Sequence, residues 1–223
     1  MLHRILLPSL LCGLLANTVH AAPDLHNTEA QLAKSLQAIN NSRLDIALNE
    51  VDSLLRANPN FKLAYLVKGD LLMARAGAIN HFGSAANAPR DKIDELRDEA
   101  RARLQRVQAQ HAAQFPPRYL WKLDSRQKYA IVVDASRSTL YVYENVDGEP
   151  RYVADYYVTI GKLGTEKISE GDQRTPIGVY FVKANLPKNK LADMYGSGAY
   201  PLSYPNEWDR RNGRTGQGIW IHG

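Results

Sequence analysis

The chain has 223 residues and a formal net charge of +5 at pH 7, with 28 Lys and Arg against 23 Asp and Glu. That length holds one or two domains, each with a core of its own. The positive excess is mild and no Lys/Arg cluster with interleaved aromatics appears, which excludes a nucleic-acid signature and leaves an anionic polymer as the charge-compatible ligand.

The first residues give a compartment. His3 and Arg4 form a short basic start, Ile5 to Ala16 is apolar, and Val19-His20-Ala21 is a small-residue cleavage site ahead of Ala22-Pro23. This pattern predicts a secretory signal peptide over residues 1–21, and hence export to the periplasm or cell envelope with no transmembrane span after cleavage. An uncleaved membrane anchor is the alternative. Lipid attachment at Cys12 is disfavoured because Leu11 is bulky where such sites want a small residue. Cleavage removes Cys12, the only cysteine, and Arg4, so the net charge falls from +5 to +4. The mature chain therefore has no thiol, no disulfide and no cysteine nucleophile.

Residues 27–114 read as helices. Ala47, Val51, Leu54 and Pro59, followed by Tyr65, Gly69 and Leu72, have the offsets of a tetratricopeptide-like repeat, in which small residues let two antiparallel helices approach. An ordinary helical hairpin fits equally well. So short a repeat does not bury its own face, so the region needs a neighbour and is a candidate for a protein partner. A Gly/Asn/Ala-rich turn, Gly83 to Ala88, interrupts. Pro89 and Asp91 then open a helix with an apolar stripe of Ile93, Leu96, Ala100, Leu104 and Val107. Its other face carries Glu99 and Arg103 at i,i+4 and reads as solvated.

Phe115-Pro116-Pro117 marks a boundary, since two prolines do not continue a helix. Beyond it the grammar is β. Tyr129 to Val133 and Thr139 to Tyr143 flank a turn at Asp134-Ala135-Ser136-Arg137. Asp147-Gly148 is a hairpin signal ahead of a strand over Tyr152 to Ile160, and Ile177 to Val182 reads as a further strand. The fold class is α+β: a helical region followed by a mostly antiparallel β domain over 118–223, of sandwich or partly closed barrel type.

The sequence ends on Ile219-Trp220-Ile221-His222-Gly223. The alternation reads as a strand that delivers a histidine and a glycine to its end, where sheet proteins often place active sites. A strand-end histidine before a turn glycine is the structural alternative. The expectation is that the chain is part of a longer parent, cut inside an active-site motif.

Several segments in order resemble the L,D-transpeptidase catalytic domain family (the YkuD fold). They are the strand pair Ala130 to Asp134 and Ser138 to Tyr143, Thr159-Ile160-Gly161-Lys162, Gly171 to Tyr180 with its Thr175-Pro176-Ile177-Gly178 loop, Tyr204 to Arg211, and Ile221-His222-Gly223. The resemblance implies an exported enzyme of cell-wall biogenesis and cell shape. A cysteine attacks the peptide carbonyl of a peptidoglycan tetrapeptide stem, expels D-alanine and forms a thioester. An amine (cross-linking transferase) or water (carboxypeptidase) then resolves it. In the family the nucleophile follows the His-Gly pair in a Ser/Thr-x-Gly-Cys segment, which this sequence does not reach. The resemblance therefore implies catalytic roles for His222, beside the sulfur, and Gly223, for close backbone approach, with residues 22–223 inert on their own.

Arg174 is a candidate for bidentate pairing with a stem carboxylate, with an ordinary surface arginine as the alternative. Tyr195, Gly196 and Trp220 are candidates to shape the substrate pocket. Trp208 to Arg214 reads as a solvated loop or a contact to anionic polymer, and Thr175 to Gly178 as a structural turn. No metal and no cofactor is expected: His26, His81, His111 and His222 lack ligand spacing and cysteine company. No Gly-x-Ser-x-Gly elbow offers a serine route. The rival reading is a non-enzymatic wall-binding scaffold with a degenerate catalytic fold.

Overall fold

In the computed structural model the described residues are 25–77, 81–84, 87–108 and 117–223, with the backbone alone described at 25–27 and 107–108. The signal-peptide assignment, Cys12, His111 and the Phe115-Pro116 part of the boundary lie outside them.

Four helices precede the β region among the described residues: α1 (Leu25–Asn40), α2 (Leu44–Ala57), α3 (Lys62–Arg75) and α4 (Arg90–Gln108). Successive helices pack around Leu32, Val51, Leu54, Leu63, Val67 and Leu71, all essentially removed from solvent. Burying one such side chain contributes roughly 1.5–3 kcal/mol, so this cluster carries the helical region. α2 stops at Ala57 because Pro59 cannot continue it. The Asn58 N–H closes the helix on Leu54 O at 2.8 Å, and its Nδ2 reaches Thr28 Oγ1 at 3.1 Å. Of the repeat-like positions, Ala47, Val51 and Leu54 are buried, whereas Tyr65, Gly69 and Leu72 line an exposed side of α3. The turn after α3 is pinned by the buried Asp70, whose carboxylate accepts from Gly83 N at 2.5 Å and Ser84 N at 3.0 Å.

α4 is amphipathic as expected, with Ile93 and Ala100 buried and Leu96 against the core. Its charged side is not the solvated face read from the sequence. Arg103 lies over the Tyr157 ring at 4.2 Å and the Phe61 ring at 5.0 Å, and pairs with Glu29 and with Glu99, the latter at 2.7 Å. Arg106, nearly buried, pairs with Asp155 and with Glu29 at 3.0 Å. The charges look solvated on a helical wheel because the wheel does not contain the strand that covers them.

That strand belongs to an antiparallel meander: β1 (Tyr129–Asp134), β2 (Thr139–Val146) and β3 (Glu149–Tyr157). The register pairs Ile131 with Val142 and Val142 with Ala154, with an irregularity at Val142/Tyr143. The first turn is closed by the Asp134 side chain, which accepts from Ser136 N and Arg137 N. At the second, Asp147 and Gly148 both take positive φ (56° and 92°), the geometry whose twist matches a tight hairpin.

A second antiparallel sheet follows: β4 (Leu186–Pro187), β5 (Gly198–Pro201) and β6 (Trp220–His222), with a short helix α5 (Glu207–Arg211) between β5 and β6. The architecture is α+β, as the sequence indicates. The strand expected over Ile177 to Val182 does not form. The Val182–Leu202 bridge, bonds between Phe181 and Ser203, and bonds from Lys183 N to Pro201 O, from Asn206 Nδ2 to Val179 O and from the Tyr180 hydroxyl to Asp209 hold it in place of a ladder. Pro176 and Gly178 punctuate the run, and Ile177, Val179 and Phe181 remain exposed.

Candidate functional site

β6 places Trp220 and His222, two residues apart, on one face of the second sheet. Opposite lies a 3-10 turn at Asp193–Tyr195. It sets the Tyr195 ring 5.1 Å from the Trp220 ring in a tilted stack and 5.1 Å from the His222 ring edge-on. Each such contact is worth roughly 0.5–1.5 kcal/mol beyond area burial. The imidazole is thus oriented by a neighbour while remaining exposed at the strand end.

Main-chain contacts close the same corner. The register opposes His222 with the buried Ala199. The Gly223 N–H points at Tyr195 O (3.3 Å) and Gly198 O (3.4 Å). Gly196 adopts φ 63°, and a Cβ there would fall 2.6 Å from the Gly223 carbonyl carbon, so only glycine lets the two backbones meet. His222 Nδ1 is 3.1 Å from Gly223 O. The tautomer with the proton on Nδ1 donates to that carbonyl and leaves Nε2 as the free acceptor. Four of the substrate or catalytic candidates, Tyr195, Gly196, Trp220 and His222, therefore come together around Gly223.

Arg174 makes its contacts elsewhere. Its Nη1 donates to Thr165 O at 2.9 Å and its backbone N–H to Asp172 Oδ1 at 3.1 Å, so the side chain braces the 165–175 loop. The Asp172 carboxyl is held well below the usual carboxylate range, chiefly by the Lys167 ammonium at 2.8 Å and by the N–H groups of Ile168, Ser169 and Arg174. Thr175 Oγ1 accepts the Gly161 N–H at 2.8 Å, a turn-forming contact.

The 208–214 segment is largely exposed, but its first part, through Arg211, is a capped helix rather than a loop. Asn206 caps α5 by a reciprocal pair of bonds with Asp209. The fully buried Asp209 carboxylate also takes the Tyr180 hydroxyl at 3.0 Å and Arg214 Nη1 at 3.3 Å. Burial, then the Asp209 charge, raises the Tyr180 phenol and keeps it a donor. The Asn-x-x-Asp spacing of this capping box was the signal in the sequence that could have revealed it.

The lysines flanking β4, Lys183, Lys188 and Lys190, have no carboxylate partner among the described residues, so β5 is bordered by positive charge. No three His, Cys, Asp or Glu side chains among the described residues converge as a metal would require. No helix there is long and apolar enough to cross a membrane.

Residues 128–223 match the family model for YkuD, the L,D-transpeptidase catalytic domain. No curated protein matches the chain. Several solved structures overlap it in part. Bd1075 of Bdellovibrio bacteriovorus is 30% identical over 46% of this chain and 35% of its own, with a TM-score of 0.37. The helical cell shape determining protein Pgp2 of Campylobacter jejuni is 28% identical over 50% of this chain and 38% of its own, with a TM-score of 0.42. The chain thus spans little more than a third of these relatives, and superpositions this partial do not establish a common arrangement.

Proposed function

We propose, on the premise that residues 128–223 belong to the YkuD family of L,D-transpeptidase catalytic domains, that the protein is an exported peptidoglycan L,D-transpeptidase. The observation that carries this reading is the family match ending on a strand whose histidine, His222, is oriented by Tyr195 and backed by Gly196 and Gly223.

The chemistry assigns each group a task. A thiolate attacks the stem carbonyl carbon, the C–N bond to D-alanine breaks, and the departing amine takes a proton. His222, with Nδ1 tied to Gly223 O, offers Nε2 to the thiol or to the departing amine. Tyr195 and Trp220 form an aromatic wall for the stem. The free lysines beside β5 favour its carboxylates. An incoming stem amine, or water, then displaces the thiol. Residues 22–223 contain no cysteine, so the thiol this step needs lies outside them. The scaffold reading rests on the same composition and differs in its outcome.

The test uses the protein extended through its next cysteine-containing segment. D-alanine release from a tetrapeptide stem is expected, together with acylation by a β-lactam. Residues 22–223 alone release none. His222→Ala in the extended protein lowers turnover about ten- to a thousandfold, the range for one positioned group at an acyl-transfer site, without unfolding it. No release by the extended protein makes it a scaffold. Unchanged turnover in His222→Ala leaves that residue a strand-end histidine.

A further inference from the structure

Between the helical region and β1 lies a short turn, residues 117–123, that presents two large aromatics to solvent. Tyr119 is 81% and Trp121 83% exposed, the highest among the large hydrophobics described. Solvated rings on a loose loop would mean little, but this turn is held at several points. Leu120 N donates to Pro117 O at 2.8 Å, and the buried Leu123 donates its N–H to Gly148 O at 2.8 Å. Asn145 Nδ2 clasps the next carbonyls, Asp124 O at 2.9 Å and Gln127 O at 2.7 Å. The polar ends of both rings are satisfied inside the turn. Trp121 Nε1 donates to Arg118 O, Arg118 Nη2 donates to the Tyr119 hydroxyl, and the guanidinium carbon sits 4.6 Å from the Tyr119 centroid. What remains for a ligand is aromatic faces. Arg118 and Lys122 have no carboxylate partner among the described residues, and the preceding residues 109–116 contain no Asp or Glu.

We propose that Tyr119 and Trp121, flanked by Arg118 and Lys122, form a second binding site that takes the glycan strand of the wall polymer. A pyranose ring offers an apolar C–H face of partial positive charge to the negative face of an aromatic ring, while its hydroxyls stay in water. The carboxylates borne by the polymer meet Arg118 and Lys122, neither of which has a carboxylate partner among the described residues. Two rings without an apolar surround suit a ribbon-shaped ligand. A protein hot spot needs a desolvated ring of contacts, which this turn lacks. The proposal rests on the peptidoglycan reading above.

The test is co-sedimentation of the full-length exported protein with stem-free glycan strands, beside D-alanine release from a soluble tetrapeptide. Trp121→Ala and Tyr119→Ala are each expected to weaken strand binding about three- to tenfold, the cost of losing one ring contact. Trp121→Phe should keep it within about twofold, and tetrapeptide turnover should stay unchanged in all three. Wild-type protein that binds no stem-free strand, or alanine variants that bind as well as wild type, overturns the site. So does loss of binding that tracks a fallen Tm in the alanine and Phe variants alike, which makes the rings packing residues. Absent D-alanine release in every sample defeats the transpeptidase reading instead, and the strand-binding comparison stays legible without it.

Discussion

Gly196 shows how much one side-chain hydrogen decides. Its φ of 63° and the 2.6 Å approach to the Gly223 carbonyl carbon leave no room for a methyl group. Gly196→Ala should destabilise the corner by about 1–3 kcal/mol, the usual cost of a strained backbone position. The Tyr195–His222 contact should loosen with it, read as a lower Tm and a shifted His222 imidazole resonance. An unchanged Tm and resonance would show that the corner relaxes freely. Tyr195 and Gly196 were legible as candidates because they fall in a glycine-punctuated loop of the β region. Their position against His222 was not, since nothing local in the chain pairs residue 195 with residue 222.

At the scale of elements, α4 carries the most information about pH. Burial pushes the Glu99 carboxyl up to about 7, while Arg103 at 2.7 Å favours its ionised form. Arg103 is shared with Glu29, neighbours Arg106, and has its own pKa lowered by burial to about 10, so the upward direction prevails for Glu99. A carboxyl whose folded pKa is raised binds protons more tightly in the folded state. Its contribution is fully present below the unfolded value near 4.5 and is lost as pH rises through about 7. Tm should therefore fall between pH 5 and 8, and Glu99→Gln should flatten that slope. An identical slope in the variant assigns the dependence elsewhere. The stripe of α4 was readable from its period. The partner of its charged face was not, because that face is covered by β3, some fifty residues later.

At the scale of the molecule, the helical and β regions meet through a buried ionic cluster. Arg106 bridges Glu29 on α1 and Asp155 on β3, and Asp155 also accepts the Tyr152 hydroxyl. Burial, then Asp155, raises that phenol and keeps it a donor. Removing one partner from a buried pair costs about 3–5 kcal/mol, because the other charge is left uncompensated, whereas an apolar replacement of the whole pair is often neutral. Asp155→Ala should therefore lower Tm sharply and speed limited proteolysis between about Gln108 and Ser125. Arg106→Met combined with Asp155→Leu should recover much of both. First cuts inside the β1–β2 hairpin, with Asp155→Ala as stable as wild type, would show that the regions do not rely on this cluster.

Elements whose signals are local were legible in the residues themselves. The helical character of residues 27–114 was legible, with α2 and α4 following from apolar period and from breakers such as Pro59. The β1–β2–β3 meander follows from β-branched runs and from the Asp134 and Asp147-Gly148 turns. Motif order also brought out the family that residues 128–223 match. The rest came from contacts between distant segments. Ile177 to Val182 has strand composition but pairs as a single bridge with scattered bonds rather than a ladder, and a strand exists only when another chain segment takes its hydrogen bonds in register. Glu207 to Arg211 became a capped helix around the buried Asp209, and Arg174 turned into its own loop. Tyr195, Gly196, Trp220 and His222 converged because β5 and β6 pair. Local propensity is written residue by residue, whereas pairing, burial and the meeting of distant side chains depend on which segments the fold brings together.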